Sequence, residues 1–281
     1  MVTSKDPTRS VIGVMGEFNA GKSTLCNLLL GMSDLPEMIV PTQLPPVWFT
    51  KGPERHEIVM KSGAVVDIDE DFDPEEALAN ASHLLMHRDV PALDHIDIVD
   101  FPGISDPNMS ADVWQRVLPE MDAILWLTHA TQAWRQSEAA VWNTVAEGIK
   151  TRSALVVTQM DKLTSDTDKT RILKRLAHDV SDDFAQIIPV SLIRAVAAQD
   201  DPIALKASGM AELQDFLSSF GTAAKPVPDT NAGPATAHCA AEPTHNLIVP
   251  RRVKPAGKSS RMRPQPRRAN AVAGDAPAVA I

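Results

Sequence analysis

Gly16-Glu17-Phe18-Asn19-Ala20-Gly21-Lys22-Ser23 stands between a β-branched strand candidate, Val11–Met15, and a helical pattern, Lys22–Leu30, and fits the spacing G-x-x-x-x-G-K-[ST] of a phosphate-binding loop (P-loop). Glycines at both ends let the backbone wrap closely around a phosphate. Successive N–H groups from Gly16 to Thr24, aided by the helix N-terminus, favour the phosphate's negative charge, and Lys22 adds a point charge for the β and γ phosphates. The Ser23 hydroxyl is placed to ligate magnesium. Without a strand before it and a helix after it, the same octet would read as a Gly-rich turn.

On either side of this octet, short apolar runs alternate with amphipathic stretches, the pattern of an α/β protein with a mostly parallel sheet. Strands are predicted at Val11–Met15, Ile58–Lys61, Val65–Ile68, Ile96–Asp100, Ala123–Thr128, Ala154–Thr158 and Ile188–Ser191. Helices are predicted at Lys22–Leu30, Pro74–Met86, Gln136–Thr151, Lys169–Phe184 and Met210–Phe220, most of them long enough to cross over a sheet. A three-layer sandwich follows, with ligands expected at the carboxyl ends of the strands.

Those strand ends carry the remaining chemistry. Ile96-Asp97-Ile98-Val99-Asp100-Phe101-Pro102-Gly103 is an apolar strand ending in D-x-x-G. Asp100 there can hold magnesium through its water shell, and Gly103, lacking a side chain, can bring its N–H to the γ-phosphate. Thr158-Gln159-Met160-Asp161 ends another strand. Guanine presents two donors, N1–H and its 2-amino group, and an ionised Asp161 is an acceptor-only fork that takes both, whereas adenine offers no such pair. At the last strand end, Pro189-Val190-Ser191-Leu192 resembles the place where G domains often carry Ser-Ala, and that resemblance implies a backbone N–H there that reads the guanine carbonyl oxygen.

With these elements in this order, the chain resembles the translation-factor-related GTPases from about Val11 to Phe220. The wording Gly-Glu-Phe-Asn-Ala-Gly-Lys-Ser-Thr resembles bacterial dynamin-like proteins in particular, with softer matches at Pro41-Thr42, Ala130-Thr131-Gln132-Ala133 and Ser137-Glu138. The resemblance implies a P-loop GTPase fold, GTP and GDP as ligands and Mg2+ as cofactor. It also implies that Thr42, in the first switch, completes a magnesium shell begun by Ser23 and Asp100. The catalytic set it implies is Lys22, Thr42, Asn19 and Gly103.

Two positions depart from the commoner pattern. Gln159 replaces the Lys of [NT]-K-x-D, and Ile104 fills the place after D-x-x-G where related enzymes hold a water-orienting Gln. Asn19 matches the Asn of potassium-dependent members of the class, so a K+ ion held against the phosphates is one reading and a tight-turn residue is the other. Pairing through the G domain, as a homodimer or with a related GTPase, is a further implication. The long stalk helices of full dynamins are not matched in the sequence after Phe220.

Charge divides the chain. From Lys225 onward nine Lys or Arg stand against three Asp or Glu, so this tail carries +6 and Met1–Ala224 carries −15 of the overall −9. The tail is rich in Pro, Ala and Arg with almost no large apolar residues, which predicts a G domain over 1–221 and a mostly disordered tail over 222–281. Its basic run, from Arg251 and Arg252 to Arg267 and Arg268, reads either as a solvated tail or as a weak contact for anionic lipid or nucleic acid. His238, Cys239 and His245 match no zinc spacing.

Met1–Ser10 has no apolar core, no run is long enough to span a bilayer, and only two cysteines, Cys26 and Cys239, occur. A cytoplasmic protein, peripheral at a membrane at most, is therefore expected. Two rival readings stay open: a GTP-binding module with little hydrolysis, and an ATP-using P-loop protein.

Overall fold

A computed structural model of the chain describes residues 6, 8–32, 45–68, 78, 80–105, 112–198 and 201–222. The chain divides into two units, Met1–Pro228 and Asp229–Ile281, and the described residues lie in the first. Thr42, the basic run from Arg251 to Arg268, His238, Cys239 and His245, and all of the expected tail but Thr222 lie outside them.

Nine strands form one sheet among the described residues: β1 (Ser10–Gly16), β2 (Val47–Lys51), β3 (Arg55–Met60), β4 (Val65–Asp67), β5 (Ala81–Arg88), β6 (Ile96–Asp100), β7 (Ala123–His129), β8 (Ala154–Thr158) and β9 (Gln186–Pro189). Their order is β4-β3-β5-β2-β6-β1-β7-β8-β9. From β6 through β1, β7 and β8 to β9 every pairing is parallel, while β2 runs antiparallel to β6, and β3 and β4 extend the sheet as antiparallel strands. The described helices include α1 (Lys22–Leu30), α2 (Asp112–Gln115), α3 (Gln136–Trp142), α4 (Glu147–Lys150), α5 (Asp166–Asp179), α6 (Leu192–Ala198), α7 (Pro202–Ser208) and α8 (Met210–Thr222).

Successive strand residues point to opposite faces, so each central strand feeds two cores. Ile12 and Val14 of β1, Leu125 and Leu127 of β7, and Val156 of β8 pack with Leu25 and Leu30 of α1 and Leu213 and Leu217 of α8. Val11, Met15, Ile124, Trp126 and Leu155 pack on the other face with Trp142 of α3 and Leu176 of α5. On that second face Trp126, Trp134, Trp142 and Phe184 meet edge to face, except that Trp142 and Phe184 stack with centroids 4.2 Å apart. The three-layer expectation is met.

The largest departure from the sequence-based elements is β5. The expected helix Pro74–Met86 is, over its described C-terminal part, a strand beginning at Ala81. Ala, Leu and Met favour helix locally. Between β2 and β3, however, both faces of the segment are covered, and Leu84 and Met86 enter one core while Leu85 enters the other. Tertiary burial overrides the local preference. β2 follows Pro45-Pro46 and was not among the predicted strands. The expected helix Gln136–Thr151 is interrupted after Trp142, where the Thr144 hydroxyl donates to the Val141 carbonyl at 2.7 Å and competes with the helical ladder. Helix α5 starts three residues before the expected Lys169, because Ser165 caps it by accepting the Asp168 amide at 3.4 Å. The unpredicted α7 is likewise fixed by Asp201 as cap and Pro202 in its first turn.

One buried polar cluster ties the antiparallel extension to β6. Asp97, fully buried, accepts from Arg9 Nε at 2.9 Å, Trp48 Nε1 at 3.0 Å and Thr50 Oγ1 at 3.0 Å. Nearby, His83 lies 5.3 Å from the Trp48 ring with its Nε2 buried and unpartnered. Burial drops its pKa from 6.5 to about 4. The unfolded chain therefore takes up this proton first as pH falls, and stability is lost between those two values. Going from about pH 7.5 to about pH 5 should cost roughly 2 kcal/mol through His83 alone. Denaturant titrations at the two pH values check this: His83→Gln is expected to flatten the dependence, and an unchanged slope would count against the assignment.

Candidate functional site

The P-loop joins β1 to α1 with the backbone its sequence demands. Gly16 adopts φ +144°, where an added Cβ would collide with the Leu127 carbonyl oxygen. Gly21, at φ +95°, precedes α1, and a Cβ there would meet Leu192 Cδ1 at 2.6 Å. Asn19 is also left-handed, at φ +59°, which is the turn conformation that Asn tolerates.

The carbonyl oxygens of four successive loop residues are each engaged. Glu17 O accepts from Lys22 Nζ at 2.9 Å, and Phe18 O from His129 Nε2 at 3.4 Å in the tautomer protonated there. Asn19 O accepts from Gln159 Nε2 at 3.3 Å and Ala20 O from Thr158 Oγ1 at 2.9 Å. With the carbonyls so occupied, and the Phe18 and Ala20 amides given to Ser105 Oγ and Glu17 O, it falls to the other N–H groups of the loop to face an anion, the arrangement of a phosphate nest. Lys22 is nearly buried, and its ammonium also reaches Gly16 O at 3.3 Å.

Asp100 comes to the same place from the end of β6. The Ser23 hydroxyl donates to its Oδ2 at 3.0 Å, while its Oδ1 is buried with no hydrogen-bond partner. Burial raises the Asp100 pKa to about 6, opposed by the Lys22 charge and the Ser23 bond. A hard oxygen pair with one orphaned carboxylate oxygen beside a serine hydroxyl fits a magnesium ion, directly or through water. Gly103 lies against the loop: a Cβ there would stand 3.0 Å from Phe18 Cα. The Ile104 amide bonds Gly16 O at 3.2 Å, and its half-buried side chain packs into the second core.

The expected base-reading elements also meet the loop. Thr158 is fully buried and braces Ala20 O and Thr128 O, so it supports the site from behind. Gln159 takes a left-handed turn, at φ +58°, that leads into Asp161, whose Oδ1 accepts from Ser191 Oγ at 2.7 Å. Of the Ser191-Leu192 backbone, expected to read a guanine oxygen, the Ser191 amide is already given to Ser208 O at 2.8 Å. The Leu192 amide stands in the first turn of α6, where helical N–H groups lack intrahelical acceptors. Thr24 lies in the first turn of α1. His129 and Ser137 contact the loop without having been singled out for it; only the Ser137-Glu138 match hinted at the second.

The sequence profile of a family described as "50S ribosome-binding GTPase" matches residues 11–160. The chain is 26% identical over 217 residues to "Dynamin-like protein 2" of Campylobacter jejuni subsp. jejuni, a match covering 75% of this chain and 35% of that protein. Two solved chains from "an oligomerised bacterial dynamin pair", described as sensing and tethering membranes over long range, are similar with TM-scores of 0.54 and 0.52. Their identities are 22% and 20%, each over 75% of this chain and 34% of the other, a likeness of fold. The chain thus spans about a third of the length of the curated relative it matches.

Proposed function

This chain belongs to the GTPase family described as the 50S ribosome-binding GTPases, and on that premise we propose that it binds GTP and GDP with Mg2+ and hydrolyses the β–γ phosphoanhydride of GTP, as a nucleotide-dependent switch or assembly GTPase. The observation that carries the reading is the convergence of Lys22, Ser23, Asp100, Gly103 and Gln159 on one loop at the carboxyl ends of β1, β6 and β8, with Asp161 two residues beyond Gln159. In the proposed site, Ser23 and Asp100 hold the metal, with Thr42 as a third ligand. Magnesium, when bound, neutralises charge on the phosphate oxygens. Lys22 orients the β and γ phosphates, and the Gly103 amide approaches the γ-phosphate. Asp161, steadied by Ser191, reads guanine.

Pairing of two G domains, as a homodimer or with a related GTPase, is part of this proposal, as is K+ held near Asn19. The match to a bacterial dynamin pair supports considering pairing; it is a property stated of that pair. The side chain of Ile104, turned into the second core, favours slow hydrolysis by the isolated domain, because it cannot orient a water.

Competition of labelled GTP by unlabelled GTP, GDP and ATP tests the reading: the guanine nucleotides should displace the label and ATP should not. In the same assay, Asp161→Asn replaces an acceptor-only fork with a mixed donor and acceptor. A loss of guanine preference of about tenfold to a hundredfold is expected from removing a charged acceptor of two hydrogen bonds. Undiminished selectivity would place the base reader elsewhere.

A further inference from the structure

Glu17 puts a carboxylate, only 3% exposed, into a loop that holds a polyanion, and Ser137 belongs to a matched pair with no assigned task. The two meet: the Ser137 hydroxyl donates to Glu17 Oε1 at 2.8 Å. Ser137 is the second residue of α3, and the neighbouring Glu138 fixes that helix start. Glu138, buried, accepts from Trp126 Nε1 at 3.1 Å, Thr128 Oγ1 at 3.1 Å and the Arg135 amide at 2.8 Å. Thr128 in turn receives Thr158 Oγ1 on its carbonyl at 3.2 Å, so the helix start, β7 and β8 form one hydrogen-bonded frame behind the loop.

We propose that Ser137 is a positioning residue for nucleotide binding, holding the Glu17 carboxylate toward α3 and away from the phosphates. In doing so it keeps Glu17 O where it receives the Lys22 ammonium. A buried carboxylate freed from this donor turns its charge on the same phosphates that Lys22 attracts, so the loss falls on phosphate binding rather than on folding. GTP and GDP should suffer alike, since both place phosphates in the loop. The inference rests on the nucleotide reading of the P-loop given above.

The test is titration of fluorescent GTP and GDP, with Mg2+, into the full chain and its variants. Ser137→Ala should weaken both nucleotides about tenfold, the effect of removing one hydrogen bond to a charged group. KM for GTP should rise with kcat nearly constant, and the melting temperature of the nucleotide-free protein should stay close to that of the parent. Ser137→Thr should restore binding. In a Glu17→Gln background, where no charge is left to restrain, Ser137→Ala should change affinity less than about twofold. Parent-like affinity in Ser137→Ala, or an equal loss in the Glu17→Gln background, would overturn the inference. A parent chain that binds neither nucleotide would instead overturn the reading on which it rests.

Discussion

Lys22→Ala is expected to abolish tight nucleotide binding, lowering affinity for GTP by on the order of several hundredfold, because it deletes charge-assisted bonds to two phosphates at once. The fold should survive. Gly16 O keeps the Ile104 amide and Glu17 O keeps the Ala20 amide when the ammonium is gone. Two measurements on one sample decide it: calorimetric GTP titration, and a melting curve without nucleotide. A parent-like affinity would show that the phosphates bind elsewhere, and a collapsed melting curve would show that Lys22 is structural.

The second large effect joins Asn19 to Ile104. Since Ile104 cannot hold a water, rapid hydrolysis needs positive charge at the transferring phosphate from an ion or a partner. The left-handed turn at Asn19 is observed, and its carbonyl is taken by Gln159, so an ion would be held by the side-chain oxygen. Exchanging K+ for a larger inert cation at equal ionic strength should slow turnover on the order of a hundredfold while binding changes little, and Asn19→Ala should remove that sensitivity. Equal turnover in the two salts, or a full potassium response in Asn19→Ala, would leave Asn19 as a turn residue and move the assisting charge to a partner.

What was legible beforehand was what is local. The P-loop, Asp100 with Gly103, and Gln159 with Asp161 are short segments at strand ends, and each appears where its spacing placed it. Strand β5 was not legible, because Ala81, Leu84, Leu85, Met86 and Arg88 are good helix formers and the segment becomes a strand only through β2 and β3, whose pairing with it is a tertiary fact. The supports of the loop were hidden for the same reason: His129 and Ser137 reach it across 111 and 120 residues of sequence. The Ser191 amide shows the converse case. Ser191 follows the last strand as its sequence predicts, but Ser208, delivered by the unpredicted α7, takes its hydrogen bond.

The most direct test of the central claim is phosphate release from GTP and from ATP by the full chain, side by side, with Mg2+ and K+ present and again after chelation of the metal. Release from GTP should stop on chelation, and ATP should give little or none. Comparable release from ATP, or binding of GTP without any release under these conditions, would contradict that claim.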